Sequence, residues 1–215
     1  EHLLNNFENL DEAHKKELLK EIKGINFELV TSLYDSTKKE KKNTKDEITP
    51  IDYLDKFKLG DKYKYYENIG KKAIKEGELA VVTMAGGQGT RLGHNGPKGT
   101  YDIGLDSHKS LFELLSDGIK EEAKKYGVTI PWFIMTSREN NKATIEFFEK
   151  HKYFGYQKDK NIFFFIQGEL PMMDTEGKIL IGEDGLIKLA ADGHGGIYES
   201  LVKTGMTKKM KELGV

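Results

Sequence analysis

The chain is predicted to fold as an α/β protein, with a parallel or mixed β-sheet flanked by helices and a helical segment ahead of it. Three observations lead there. Apolar residues recur at helical spacing through the N-terminal third, ending at Gly77. From Leu79 onward, short apolar runs rich in β-branched and aromatic residues alternate with amphipathic stretches, the pattern of βαβ units. The first of those runs leads into the most glycine-dense loop of the chain, and open α/β sheets hold ligands at that end of a strand.

Asp11 is positioned to cap a helix that carries Leu18, Leu19, Ile22 and Ile25, with Gly24 as the stop signal. Phe27, Val30, Leu33 and Tyr34 continue the period after Asn26. Residues 36–47 (STKKEKKNTKDE) are charged without period and read as a solvated loop. Lys38, Lys39, Lys41 and Lys42 would form a basic recognition patch there, but Glu40, Asp46 and Glu47 dilute it. A further amphipathic helix carries Tyr65, Tyr66, Ile69, Ala73 and Ile74 and ends at Gly77. Leu79–Met84 has the short apolar character of a buried parallel strand. After the glycine loop come a helix over Leu111–Tyr126, a strand over Ile130–Thr136, a helix over Asn140–His151 and a strand over Asn161–Ile166. Phe163, Phe164 and Phe165 read as strand core rather than as a stacking platform. The composition shift divides the chain at residues 1–77 and 78–215.

Composition narrows the function. Lys+Arg is 34 against Asp+Glu 35, a net charge of −1, which lacks the positive excess of a nucleic-acid-binding surface. With no cysteine, a disulfide framework, a thiolate zinc site and a cysteine nucleophile are all excluded. No apolar run approaches the ~18 residues that span a bilayer, and no secretory h-region is present, so a soluble cytoplasmic chain without membrane partners is expected. Opening on Glu1 rather than Met is what part of a longer protein would show.

The chemistry concentrates in Ala85-Gly86-Gly87-Gln88-Gly89-Thr90-Arg91-Leu92-Gly93. Missing Cβ atoms let backbone approach a ligand, and the N–H groups of such a turn make a concave anion site. The loop is not a Walker A sequence, since no G-x-x-x-x-G-K-[ST] fits, nor the dinucleotide fingerprint, since Leu92 stands where the third glycine belongs. Pro97-Lys98-Gly99 follows and can return a lysine over the same site. The chain has only two arginines, Arg91 and Arg138, and one of them lies in this loop. A glycine turn with Arg91 and Lys98 suits a polyphosphate whose charge redistributes in a reaction.

AGGQGTRLG followed by GPKGTYDIGL resembles the signature of the uridine-diphosphate-sugar pyrophosphorylases, nearest to the eukaryotic-type UDP-N-acetylglucosamine branch. PWFIMTS (131–137), EFFEKHKYFG (146–155), FFFIQGELPMM (163–173) and ADGHGGIYESL (191–201) continue the resemblance in order over nearly the whole chain. The resemblance implies a Rossmann-like (GT-A-like) nucleotidyltransferase fold, with 78–215 the N-terminal part of the catalytic domain. It implies UTP and a sugar-1-phosphate as substrates and Mg²⁺ as cofactor. It gives Met84, Ala85, Gly86 and Gly87 to the uridine and phosphates, Arg91 and Lys98 to the phosphates as catalytic groups, Gln167 to the uracil edge, Gly193 to the nucleotide and position 194 to the sugar. It also implies a metal-binding aspartate shortly after Val215. The chain as given is therefore expected to bind UTP weakly, without Mg²⁺-dependent pyrophosphate release and with an exposed sheet edge.

One block departs from the branch. Where N-acetylhexosamine enzymes carry Pro-Asp-Gly-Asn-Gly-Gly, this chain has Ala191-Asp192-Gly193-His194-Gly195-Gly196, and histidine at the sugar position is the UDP-glucose pattern. N-acetylglucosamine-1-phosphate is the expected sugar and glucose-1-phosphate the alternative. A nucleotide-binding module without turnover and a glycosyltransferase are the rival classes, the second disfavoured by Pro97-Lys98-Gly99. His94 is expected to be exposed to solvent. Gly104 makes Asp102 and Asp106 a turn rather than a metal pair, and Ser107-His108 lacks a third triad member.

Overall fold

The computed structural model describes residues 2–39 and 49–215. In chain order the helices and strands are α1 (Glu12–Gly24), α2 (Phe27–Lys38), α3 (Asp61–Lys75), β1 (Val81–Met84), α4 (Leu111–Tyr126), β2 (Trp132–Thr136), α5 (Asn141–Lys150), β3 (Ile162–Ile166), β4 (Glu169–Pro171), β5 (Leu189–Ala191), α6 (Ile197–Lys203) and α7 (Met206–Glu212). The α/β class and most element positions agree with the sequence reading. The start signals act as expected: Asp11 accepts from the His14 N–H at 2.8 Å, and the Asn26 side chain accepts from the Leu29 N–H at 3.0 Å. Ser110 and Glu113 close a reciprocal capping box on α4, and Gly127 ends that helix with φ +69°.

Several boundaries differ. Residues 36–38 are the last turn of α2 rather than loop, and residues 40–48 of the lysine-rich stretch, with Lys41 and Lys42 of its candidate basic patch, lie outside the described residues. Leu79 and Ala80 precede β1, which begins at Val81 and is only half-buried. β4, β5, α6 and α7 carried too few apolar residues at a clear period to be read from sequence.

Two compact units are present: Glu1–Pro50 with Glu169–Asp192, and Ile51–Gly168 with Gly193–Val215. They run across the composition boundary at residue 77, because the segment carrying β4 and β5 packs with α1 and α2. In this first unit β4 and β5 pair antiparallel, and Leu18 of α1 is buried with Leu3, Ile179 and Ile187. Glu21 of α1 accepts from the Ile187 N–H at 3.0 Å, and Tyr34 of α2 donates to the Thr175 carbonyl at 2.8 Å.

The second unit holds a three-stranded parallel sheet in the order β1-β2-β3. Strand side chains alternate between faces, and the sequence supplies apolar groups for both. Trp132, Ile134 and Ile162 face α4 and α5, where Phe112 and Phe148 complete the core. Phe133, Met135, Phe163 and Phe165 face the other way, against Leu201 of α6 with Met206 and Met210 of α7. The Phe163–Phe165 run is therefore core, divided between the two faces. The one tryptophan of the chain places its buried indole N–H on Thr83 Oγ1 at 2.8 Å, tying β2 to β1. Among the described residues no helix is long and apolar enough to cross a membrane.

Phe148 is fully buried, with ring centroids 4.8 Å from Phe112, 5.5 Å from Trp132 and 5.1 Å from both Phe154 and Phe164. Removing it opens a cavity that four rings cannot fill by small shifts. Phe148→Ala is expected to cost about 3–5 kcal/mol in denaturant unfolding, and a loss below about 1 kcal/mol would show that this cluster is not the core of the sheet.

Candidate functional site

β1 ends at Met84 and β2 at Thr136, and the ladder runs one bond further, with the Ala85 N–H on the Met135 carbonyl at 2.7 Å. The glycine loop therefore starts from a fixed backbone position. It then folds onto Pro97-Lys98-Gly99: the Lys98 N–H donates to the Gly87 carbonyl at 3.0 Å and the Gly89 N–H to the Gly96 carbonyl at 2.9 Å. From β2's exit, the buried Asn140 side chain donates to the carbonyls of Ala85 at 2.9 Å and Gly87 at 3.3 Å. The backbone N–H groups of Gly86, Gly87 and Gln88 donate to no described residue. Three successive donors with the neighbouring acceptors already used make an anion cradle.

Gln167 follows β3, its N–H on the Thr136 carbonyl at 2.8 Å. The residue is 8% exposed, yet its carboxamide has no hydrogen-bond partner among the described residues. It lies against Gly86: a Cβ there would stand 2.7 Å from Gln167 Oε1. A carboxamide that makes no hydrogen bond, beside three N–H groups in the same state, offers donors and an acceptor to a polar planar group with an anionic tail.

The carbonyl hydrogen bonds and the Gly86 contact bring Met84, Ala85, Gly86, Gly87, Gln167 and the backbone of Lys98 into one assembly. Arg91 lies in a turn of 3₁₀ helix, Thr90–Leu92, and its side chain and that of Lys98 are exposed with no hydrogen bond or ion pair to a described residue. Gly193 has φ +84°, a conformation that glycine adopts without strain, and it leads into an exposed His194 and then α6. The connection to Gln167 is through Ser200 of α6, whose Oγ accepts from the Gly168 N–H at 3.0 Å. Nothing in the structure joins the side chains of Arg91, Lys98 and His194 directly.

Other sequence candidates fall away from chemistry. His94 is half-buried rather than exposed, because it packs inside the loop: its Nε2 lies 2.7 Å from Thr100 Oγ1, and a Cβ on Gly89 would meet its ring carbon at 2.8 Å. The Thr100 hydroxyl donates to the Pro97 carbonyl, so His94 is the donor to Thr100. Asp102 organises a turn, accepting from the Gly104 N–H at 2.8 Å, and this bond holds its carboxyl below the usual range with help from His108. Sequence reading missed Asn140, taken only as a helix start, although Ser137 and Asn140 three apart at the carboxyl end of a strand could have marked it. It also missed why Pro97-Lys98-Gly99 ends in glycine. A Cβ at Gly99 would lie 2.2 Å from the buried ring of Phe112, so the lysine backbone rests directly on the core.

The profile of UTP--glucose-1-phosphate uridylyltransferase matches residues 25–215. The chain belongs to that family. Among relatives of the uridylyltransferase family, it is 35% identical to UDP-N-acetylglucosamine pyrophosphorylase of Saccharomyces cerevisiae, over 99% of this chain and 48% of that protein. It is 41% identical to UDP-N-acetylglucosamine diphosphorylase 2 of Arabidopsis thaliana, over 72% of this chain and 33% of that protein. The crystal structure of the Trypanosoma brucei uridine diphosphate N-acetylglucosamine pyrophosphorylase, in complex with an inhibitor, superposes with a TM-score of 0.76 at 28% identity, covering 100% of this chain and 47% of that one. The chain thus spans about half the length of the yeast and trypanosome relatives it matches.

Two glycines of this chain separate the loop's contact with Gln167 from stability. At Gly86 a methyl meets the end of a flexible side chain, whereas at Gly99 it meets a packed ring. Gly86→Ala is expected to leave the melting temperature nearly unchanged while displacing the Gln167 carboxamide, seen as a shift of its side-chain amide NMR signals. Gly99→Ala is expected to cost about 1–3 kcal/mol, seen as several degrees of Tm. Equal thermal loss in both variants would contradict this assignment.

Proposed function

We propose that this protein is a uridylyltransferase that condenses UTP with a sugar-1-phosphate, N-acetylglucosamine-1-phosphate first, to a UDP-sugar and pyrophosphate. The observation that carries the reading is the cradle: three unpartnered N–H groups at Gly86–Gln88 beside Gln167, a buried residue whose carboxamide makes no hydrogen bond to a described residue. Family membership and the likeness to the yeast and Arabidopsis proteins support the reaction and the sugar.

In this reading the Gln167 carboxamide meets the adjacent N–H and carbonyl of the uracil ring, one donor and one acceptor against their complements. Met84 to Gly87 provide backbone against the uridine and phosphates, and Gly193 lies against the nucleotide. A phosphate oxygen of the sugar-1-phosphate attacks the α-phosphorus of UTP, forming the new O–P bond as the bond to the β-phosphate oxygen breaks and pyrophosphate leaves with its electron pair. No protein nucleophile is required, so positioning and charge neutralisation supply the rate. Arg91 and Lys98 are free of ion pairs and provide the positive charge, and His194 touches the sugar. Mg²⁺ is proposed to arrive with the triphosphate. Among the described residues no three histidine, aspartate or glutamate side chains form a group that could hold a metal ion, and no step is assigned to the ion.

Pyrophosphate release from UTP with each sugar phosphate, using the natural full-length protein, tests the reaction; UTP binding without turnover would leave a nucleotide-binding module instead. Lys98→Ala is expected to lower turnover by ~10²-fold or more, with a smaller effect on uridine binding, because its charge serves a phosphate that gains negative character. Unchanged kinetics would remove Lys98 from the mechanism. Gln167→Leu is expected to narrow the preference for UTP over CTP, and an unaltered ratio would show that another group reads the base.

His194 decides between the two sugars. His194→Asn is expected to shift kcat/KM toward N-acetylglucosamine-1-phosphate over glucose-1-phosphate by ~10- to 100-fold, the worth of one contact. A common change in both substrates would move position 194 out of sugar selection.

A further inference from the structure

We infer that Asn140 is a positioning residue of the nucleotide site: its carboxamide sets the orientation of the peptide planes whose N–H groups face the phosphates. The inference rests on the nucleotide reading above and names the residue through which that site is held.

A trans peptide carries its C=O and the following N–H on opposite sides of one rigid plane. The Ala85 carbonyl and the Gly86 N–H share a plane, as do the Gly87 carbonyl and the Gln88 N–H. Asn140 Nδ2 has two hydrogens and spends them on these two carbonyls, at 2.9 and 3.3 Å. Drawing both oxygens inward turns the Gly86 and Gln88 N–H groups outward, and neither of these donates to a described residue. The glycines that let the loop approach a ligand also leave its planes free to flip, so the orientation has to be imposed from outside the loop.

Asn140 is itself fixed. It is fully buried, its Oδ1 accepts from the Ser137 N–H at 2.9 Å, and its own N–H donates to Ser137 Oγ at 3.2 Å. The side chain makes no capping bond to α5, so that helix does not require it. The same turn reaches the base side: the Thr136 carbonyl accepts from the Gln167 N–H at 2.8 Å, and the Thr136 hydroxyl donates to Asn141 Oδ1 at 2.7 Å. Thr136–Asn141 therefore holds the cradle and the backbone of Gln167 from one piece of chain, and Asn140 is the branch that serves the cradle.

Asn140→Asp and Asn140→Leu in the full-length protein test this by calorimetric binding of UTP and of uridine. Asp keeps the acceptor for the Ser137 N–H but sets a carboxylate against two carbonyls; Leu keeps the approximate size and loses every bond. Both variants are expected to lose ~10- to 100-fold in UTP affinity while uridine affinity changes by less than ~3-fold, since only the phosphates use the turned N–H groups. For Asn140→Asp, the deficit relative to wild type is expected to shrink as pH falls, because the protonated carboxyl regains a donor for the Ala85 carbonyl. A role in folding alone would lower both affinities together. Parallel loss of UTP and uridine binding, or unchanged UTP binding, overturns the inference. If the wild-type protein binds no uridine nucleotide, the nucleotide reading fails, and the same variants measured with inorganic triphosphate decide Asn140 separately: affinities equal to wild type overturn it.

Discussion

The site depends on how the backbone acceptors of one turn are satisfied. Between Ala85 and Gly96 the carbonyls of Ala85, Gly87, Gly89 and Gly96 all accept hydrogen bonds from inside the protein, from Asn140, Lys98, Leu92, His94 and Gly89. With the Ala85 and Gly87 oxygens turned in, the Gly86 and Gln88 N–H groups that share their peptide planes are turned outward. A buried acceptor left unmade would cost about 1–3 kcal/mol, so reversing the turn is opposed at several bonds at once. Such a cradle is oriented before any ligand arrives, which is how fixed dipoles favour a developing charge without reorganisation.

The rest of the second unit fixes that turn in space. β1 brings it to the carboxyl end of the sheet, the Ala85–Met135 bond locks its first residue, and the Phe112 ring beneath Gly99 sets the height of the returning Lys98 strand. Phe112 belongs to the same cluster as Trp132 and Phe148, so core packing reaches the loop backbone through a single glycine. Steric fit therefore accounts for the glycine of Pro97-Lys98-Gly99 as directly as any contact with phosphate would.

Much of this was legible in the sequence, for reasons that differ by element. α4 was readable to the residue because Ser110, Glu113 and Gly127 state its ends chemically. β2 and β3 were readable because a strand buried on both faces must be apolar throughout. α6 and α7 were not, since each has seven residues; α6 buries only Ser200 and Leu201, and α7 buries none completely. In the site, the glycine loop, Lys98 and Gln167 announce themselves by residue type, whereas Asn140 does not: a surface-prone amide becomes a buried clamp only when β2 ends beside β1. His94 failed for the same reason in reverse, since its half-burial depends on a close approach to Gly89 that the flanking residues do not encode locally.

The parts of the site differ in how freely they can change, and burial decides which. Gly86, Gly99, Asn140 and Gln167 are each in close contact with a neighbour or buried, so most substitutions there move other atoms. The side chains of Arg91, Lys98 and His194 are exposed and make no hydrogen bond or ion pair to described residues, and substitutions at such positions usually alter stability by no more than about 0.5 kcal/mol. In the proposed reading, the exposed set contacts the reacting phosphates and the sugar, and the buried set holds the nucleotide. Nucleotide recognition is then tied to folding, while sugar choice at position 194 is nearly free of it. A chain with the blocks of one sugar branch can carry the histidine of the other because the fold neither requires nor resists it.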